Sequence, residues 1–452
     1  MNLAPAVPAL AAWSLPFAGI LLSIAFLPII PATASWWERN PNKLLLSAAF
    51  AALVCGYYGL RSQGFHAAPG PASVGALLRE SVIGDYIPFI VLLFSLFTIS
   101  GGIRLTGDIS ARPRTNTAIL FLGSVLASLI GTTGASMVLI RPLLQINSER
   151  KRTRHTVVFF IFLVSNIGGS LLPVGDPPLF LGFLKGVPFF WSLRLWPSWL
   201  FSVGLLLAVY WVLDAWHYAR EDQASLRLDQ ATVVPFLLRG KANLLLLAGV
   251  VLAVAVLVPG QRIPATAWLT PPHLREFIEL ALCGLSLALT SRALRRANQF
   301  NFTAITEVAC LFIGIFVTMQ VPIELLQVAG PRLGLTEPSR FFWASGGLSS
   351  FLDSAPAYAV FFEGAKVLPA APGVPMLHLL GPGGTIPIKI LEAIALGTVV
   401  MGANSYLGNG PNFLVKSIAE GQGVRMPTFF GYMVYSGLIL IPLFIVMTYL
   451  FF

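Results

Sequence analysis

Charge is scarce in this chain, and acid is scarcest. Only 11% of the 452 residues are charged, with 19 Asp and Glu against 29 Lys and Arg, while 56% are hydrophobic and the mean hydropathy is +0.79. That balance excludes a soluble globular protein. Cysteine is nearly absent too: Cys55, Cys283 and Cys310 lie inside apolar segments, with no spacing that suits a disulfide framework, a redox pair or a metal. The five histidines are scattered, which argues against a histidine metal centre. A basic n-region is missing ahead of the first apolar run, and that run is too long for a signal-peptide core, so it reads as the first span. What is present is apolar sequence, in runs long enough to cross about 30 Å of hydrocarbon, repeated from end to end. The net charge of +10 sits between these runs rather than in a basic patch interleaved with aromatics, so it reads as a topology signal and not as a nucleic-acid surface.

Spans are expected near 12–30, 43–60 and 84–102. The stretch 115–144 differs, because GTTGAS interrupts it and a basic run follows. It reads as either one broken span or a re-entrant helical hairpin. A broken helix at 155–184 and a plain span at 196–216 follow, and then the order recurs. The second half has spans near 242–258, 274–290 and 303–326, a hairpin at 338–367 broken by LSSFLDSAP, a helix at 386–420 broken by GANSYLGNGPN, and a last span at 428–451. The expected fold is all-α and integral to the membrane, with about ten transmembrane helices and two re-entrant hairpins. It divides into a first repeat at 1–216, a cytoplasmic linker at 217–241 that suits a surface-lying amphipathic helix, and a second repeat at 242–452. If both hairpins are re-entrant, most Lys and Arg fall on one face, including the run from Arg150 to Arg154, as the positive-inside rule requires of the cytoplasm. The halves then insert in opposite directions, the sequence pattern of secondary transporters, and a multi-pass inner-membrane location is expected.

Chemistry is expected at the four breaks. Unwound backbone at bilayer depth leaves polar groups without helical partners, and it survives only where it lines a hydrated site. The first tip offers Thr132, Thr133 and Ser136, and its partner break SNIGGSLLPVGDPPLF offers Ser165, Asn166, Gly169 and Asp176. The second tip offers Ser350, Asp353 and Ser354, and its partner break offers Asn404, Ser405, Asn409 and Asn412. An acid near the bilayer centre costs on the order of 3 kcal/mol and is usually functional. Asp176 and Asp353 are therefore the candidate cation and proton ligands, with Asn166 and Asn404 as neutral oxygen ligands for sodium, while the tip hydroxyls and the remaining amides are candidate substrate contacts. Helix capping is the competing reading for both acids. Asp85, Asp214, Glu276, Glu279, Glu307 and Glu324 fall near span ends and read as interfacial, with Glu307 and Glu279 the next to test.

The break SNIGGSLLPVGDPP resembles the Asn-x-Gly-Gly and Pro-x-Gly-Asp break of the ion-transporter superfamily, and SSFLDSAPAYAVFF is similar to that group's Leu-Asp-Asn-x-Pro hairpin. The superfamily includes NhaD-type sodium/proton antiporters and citrate, dicarboxylate and arsenite carriers. The resemblance implies two inverted repeats, a scaffold half with a moving transport half, elevator-type alternating access, sodium or protons as coupling ions with no other cofactor, and a homodimer. Two departures bear on the substrate. Gly131 and Thr132 stand where antiporters of the group carry an Asp-Asn pair, and Ser354 replaces the Asn after Asp353. Sodium/proton antiport is the first expectation, and sodium- or proton-coupled uptake of citrate or a dicarboxylate is the alternative. An intramembrane aspartyl protease is a distant third: Pro173 replaces the first glycine of its Gly-x-Gly-Asp motif and no Tyr-Asp partner occurs, so no enzyme is expected.

Overall fold

The computed structural model describes residues 7–28, 30–62, 64–66, 68–231, 233–263, 266–329, 334–368, 373–381 and 384–452. Among them, eight helical stretches are long and apolar enough to cross a membrane: Val7–Phe26, Asn40–Leu60, Pro71–Ser100, Pro113–Ile130, Arg154–Leu171, Phe189–Tyr218, Thr303–Ala329 and Phe429–Phe451. The protein is an all-α, multi-pass membrane protein.

The first half runs through α1 (Val7–Trp13), α2 (Leu15–Phe26), α3 (Pro31–Trp37), α4 (Asn40–Leu60), α5 (Pro71–Leu78) and α6 (Ile87–Ser100). A short strand β1 (Arg104–Asp108) leads to α7 (Pro113–Ile130) and α8 (Thr132–Ile146), which reverse at Gly131. That glycine has φ 82°, a backbone state that costs a side-chain-bearing residue steric strain. Next come α9 (Arg154–Leu163), a 3₁₀ turn at Ile167–Leu171, α10 (Pro177–Leu184) and α11 (Trp196–Tyr218). After α12 (Gln223–Ala231) and β2 (Val234–Arg239), the second half presents α13 (Ala242–Val256), α14 (Leu274–Leu289), α15 (Arg292–Ala297), α16 (Thr303–Thr318) and α17 (Gln320–Ala329). A second helical reversal, α18 (Pro338–Phe351) into α19 (Ser354–Lys366), precedes β3 (Met376–His378) and β4 (Thr385–Pro387), which pair with each other. The chain ends with α20 (Ile388–Met401), a 3₁₀ turn at Gly402–Asn404, α21 (Gly410–Gly421) and α22 (Phe429–Phe451).

Many of these helices start with proline in the first turn, where its missing N–H removes a donor that would be orphaned anyway. Packing between the halves is reciprocal. Helix α4 lies on α16 and α6 on α14, while α10 lies on α19 and α21 on α8. The broken helix is innermost: 89% of the apolar window in Arg154–Leu171 is buried, against 22% in Asn40–Leu60, which leaves the latter as lipid-facing surface. Aromatic side chains fill the space around it, with Phe159, Phe160, Phe162, Phe180, Phe342, Tyr358 and Tyr432 fully buried.

Two elements depart from the sequence reading. The third span begins at Pro71 rather than near 84, because the polar run RESVIGDY continues the helix through wider, π-type turns at Arg79–Tyr86. The linker holds the expected short helix, α12, but also β2, which pairs antiparallel with β1 in the register Arg104↔Arg239, Leu105↔Leu238 and Thr106↔Leu237. Strand pairing satisfies the backbone of both segments, which have no helix to join.

Candidate functional site

The two broken helices approach each other through their unwound segments. Gly175 makes the first break possible: a Cβ there would stand 2.2 Å from the Gly169 carbonyl oxygen. Gly408 does the same in the second break, where a Cβ would stand 2.4 Å from the Gly402 oxygen. Both chains then extend into equivalent conformations, with Asp176 at φ −145°, ψ 143° and Asn409 at φ −154°, ψ 139°. The N-cap residues of α10 and α21 thus meet, one a carboxylate and one an amide.

Asp176 is 1% exposed, and its carboxylate takes hydrogen bonds from both halves. Its Oδ1 accepts from the Thr132 hydroxyl at 2.9 Å and from Asn409 Nδ2 at 3.0 Å. The same Asn409 amide also donates to the Ser165 carbonyl at 3.1 Å, and Ser165 shares a 2.9 Å hydroxyl contact with Ser136. The Thr132 N–H bonds the Gly175 carbonyl, so the first tip is stitched to the break it faces. Asp176 stands at the N-cap of α10 without capping it. The reason is in the sequence: Pro177 and Pro178 have no N–H, and the next donor, the Leu179 N–H, bonds the Asp176 backbone carbonyl, so the carboxylate is free for other partners.

Asn166 ties the breaks together from the other side, donating to the Ile161 carbonyl at 2.8 Å and to Asn412 Oδ1 at 2.7 Å. Asn412 in turn donates to the Gly402 and Ser405 carbonyls. Asn404 donates to the Ser350 hydroxyl at 2.8 Å, and the Ser405 hydroxyl bonds the Ser350 carbonyl. Once these bonds are made, several buried atoms remain unpartnered among the described residues: Asp176 Oδ2, Asn166 Oδ1, Asn404 Oδ1 and Ser354 Oγ. All but the hydroxyl can only accept. A buried polar group left unsatisfied costs about 1–3 kcal/mol. Acceptors in want of a donor suit a proton or an oxygen-seeking cation.

Asp353 is different. It is half-buried, and its Oδ1 accepts the Ala355 N–H at 3.1 Å as the N-cap of α19. Thr133 and Gly131 line a cavity of about 110 Å³ with Asp176, which has room for several waters. Its other walls are apolar and come from both halves, among them Leu92 and Leu96 of α6 and Ile305 and Val308 of α16. Among the described residues, no lysine or arginine lines it.

A family model described as "Putative citrate transport" matches residues 7–452. The chain belongs to this citrate transport family. Among curated proteins no relative matches it. Membership makes it a secondary transporter and puts its two broken helices in the context of small-ion or carboxylate transport.

The geometry also adds residues that sequence reasoning passed over in this family member. The Ser128 hydroxyl donates to the Gly168 carbonyl at 2.5 Å and accepts the Leu171 N–H, holding the 3₁₀ turn in place, and Trp199 Nε1 bonds the same carbonyl. Ser128 lies one helical turn before the Gly131 reversal, a spacing that could have flagged it. Several acids read as interfacial are instead buried, because a residue near a span end can still face inward. Asp214 pairs with Arg150 at 2.6 Å and His155 at 2.9 Å. Asp85 pairs with Lys185 at 2.7 Å, and Glu279 is fully buried. Glu307 and Glu324 pair with Lys43 and Arg61.

Proposed function

We propose that this protein carries citrate or a related carboxylate across the inner membrane, coupled to sodium or protons that bind at Asp176. The observation that carries the reading is the set of buried, unpartnered acceptors: Asp176 Oδ2, Asn166 Oδ1 and Asn404 Oδ1. Asp176 takes the proton or the sodium ion, and the two asparagines contribute neutral oxygens on the same hydrogen-bonded network. The carboxylate cargo belongs at the cavity by the first tip, where the Thr133 and Gly134 N–H groups open the α8 helix and have the favourable end of its dipole behind them. Movement is of the elevator type, with α7–α10 and α18–α21 travelling against α4, α6, α14 and α16, the two halves inserted in opposite senses.

Sodium/proton exchange without an organic anion is the second reading. It is favoured by Pro177 and Pro178, which strip N–H donors from the α10 terminus, and by the scarcity of cationic side chains around the cavity. One assay separates the two. In proteoliposomes, radiolabelled citrate uptake that requires a sodium or proton gradient and vanishes in Asp176→Asn supports carriage of the anion. Proton flux driven by sodium alone, undiminished when all carboxylates are omitted, supports exchange. Wild-type flux in Asp176→Asn removes that residue from either mechanism.

A further inference from the structure

Away from the breaks, the first two turns of α14 hold a second group of charges. Arg275, Glu276 and Glu279 are all buried, at 2%, 5% and 0% exposure. The Arg275 guanidinium bonds Glu276 Oε1, and its Nε stands 3.8 Å from Glu279 Oε1. Neither oxygen of Glu279 has a hydrogen-bond partner among the described residues.

The packed neighbours offer no further compensation. Helix α14 packs against α6 and α13, and Arg275 faces α10, where its guanidinium lies 5.6 Å from the rings of both Phe180 and Phe183. The sequences of α6 (IPFIVLLFSLFTIS), α13 (ANLLLLAGVVLAVAV) and α10 (PPLFLGFL) contain no ionisable residue. His273 precedes the helix at its N-cap, and Lys185, beyond the end of α10, is engaged with Asp85 and Glu363. Two carboxylates and one guanidinium, sealed from water, carry one negative charge too many. A lone buried charge is among the costliest arrangements in a protein interior, and a bound proton relieves it directly.

We infer that Glu279 is a second proton-binding site, separate from the Asp176 network, and that its proton is held or released according to the position of α10. The link to α10 is steric and electrostatic. Among the described residues, Arg275 is the only cation that offsets the two acids, and it rests on Phe180 and Phe183, in the half-helix that begins immediately after Asp176. Withdrawal of those rings frees the guanidinium to shift and to meet Glu279 or water. The local charge then balances without the proton.

The linkage to transport rests on the proposed function, but the protonation state does not, so the test reads protonation first. Infrared difference spectra of the full-length protein in liposomes at neutral pH should show a protonated carboxyl band that Glu279→Gln removes and that Asp176→Asn leaves in place. A spectrum unchanged by Glu279→Gln overturns the proposal, as does a band removed by Glu276→Gln and not by Glu279→Gln. In the same liposomes, adding citrate with sodium should shift the Glu279 band. A band that is present but indifferent to both leaves Glu279 protonated yet overturns its link to α10. Glu279→Gln should also flatten the pH dependence of uptake while Glu279→Asp preserves it. If neither the wild type nor any variant transports citrate, the transport reading fails, while the Glu279 band still stands or falls by itself.

Discussion

At the scale of single residues, two acids in similar helical positions take different roles because their C-terminal neighbours differ. Asp176 precedes two prolines, and the next N–H, that of Leu179, goes to its backbone carbonyl, so its side chain reaches Thr132 and Asn409 instead. Asp353 precedes Ser354 and Ala355 and caps normally. Replacing Thr132 by Val removes a hydrogen bond to a charged group, worth about 1.5–3 kcal/mol. Sodium must then displace a more tightly held proton, and its half-saturating concentration in uptake should rise about tenfold or more. Asp353→Ala should cost about 1 kcal/mol of stability in thermal unfolding, as lost N-caps do, while Asp353→Asn keeps it. An unaltered pH profile of uptake in Asp353→Asn assigns the residue to capping alone. The break residues were legible in the sequence because amides and an acid are conspicuous in so apolar a chain. The burial of Asp214, Asp85 and Glu279 was not, since the distance of a residue from a span end says nothing about which way its helix is turned.

At the scale of elements, the breaks depend on glycines that bring two backbones into contact. Gly175→Ala and Gly408→Ala should each prevent folding of the site and abolish a monodisperse species in size-exclusion chromatography, because the added Cβ meets main chain that cannot move aside. Gly204→Ala, where nothing lies within 4 Å, should be silent and serves as the control. The order of helices, hairpins and breaks was readable from the spacing of apolar runs and breakers. Two features were not. RESVIGDY is too polar by composition to read as part of a span, yet Ser81, Asp85 and Tyr86 turn inward to partners at Leu77, Lys185 and Ala309, while Arg79 and Glu80 stay exposed. Strand β2 was hidden because its partner β1 is only five residues long and more than a hundred positions away.

At the scale of the whole molecule, the ion pair between Asp85 and Lys185 joins the long third helix to the end of α10. It therefore bridges the parts expected to slide past each other. With Cys55, Cys283 and Cys310 first replaced by Ala, the pair Asp85→Cys and Lys185→Cys should be bridged by a short, reducible bis-thiol-reactive cross-linker, because a lysine–aspartate ion pair spans more than a disulfide can. Uptake should stop and should return on reduction. Uptake that continues in the fully cross-linked protein would rule out movement of α10 relative to that helix.

The meeting of Asp176 with an amide rather than with a second acid has an electrical consequence. In the proposed mechanism, the Asp176 site filled by sodium or a proton is neutral, and the membrane potential exerts no force on it. Empty, it carries one negative charge, on which 100 mV acts with about 2.3 kcal/mol across the full membrane. Voltage therefore speeds or slows the return of the unloaded carrier, not the loaded stroke, and any current that accompanies the loaded stroke is set by the valence of the cargo.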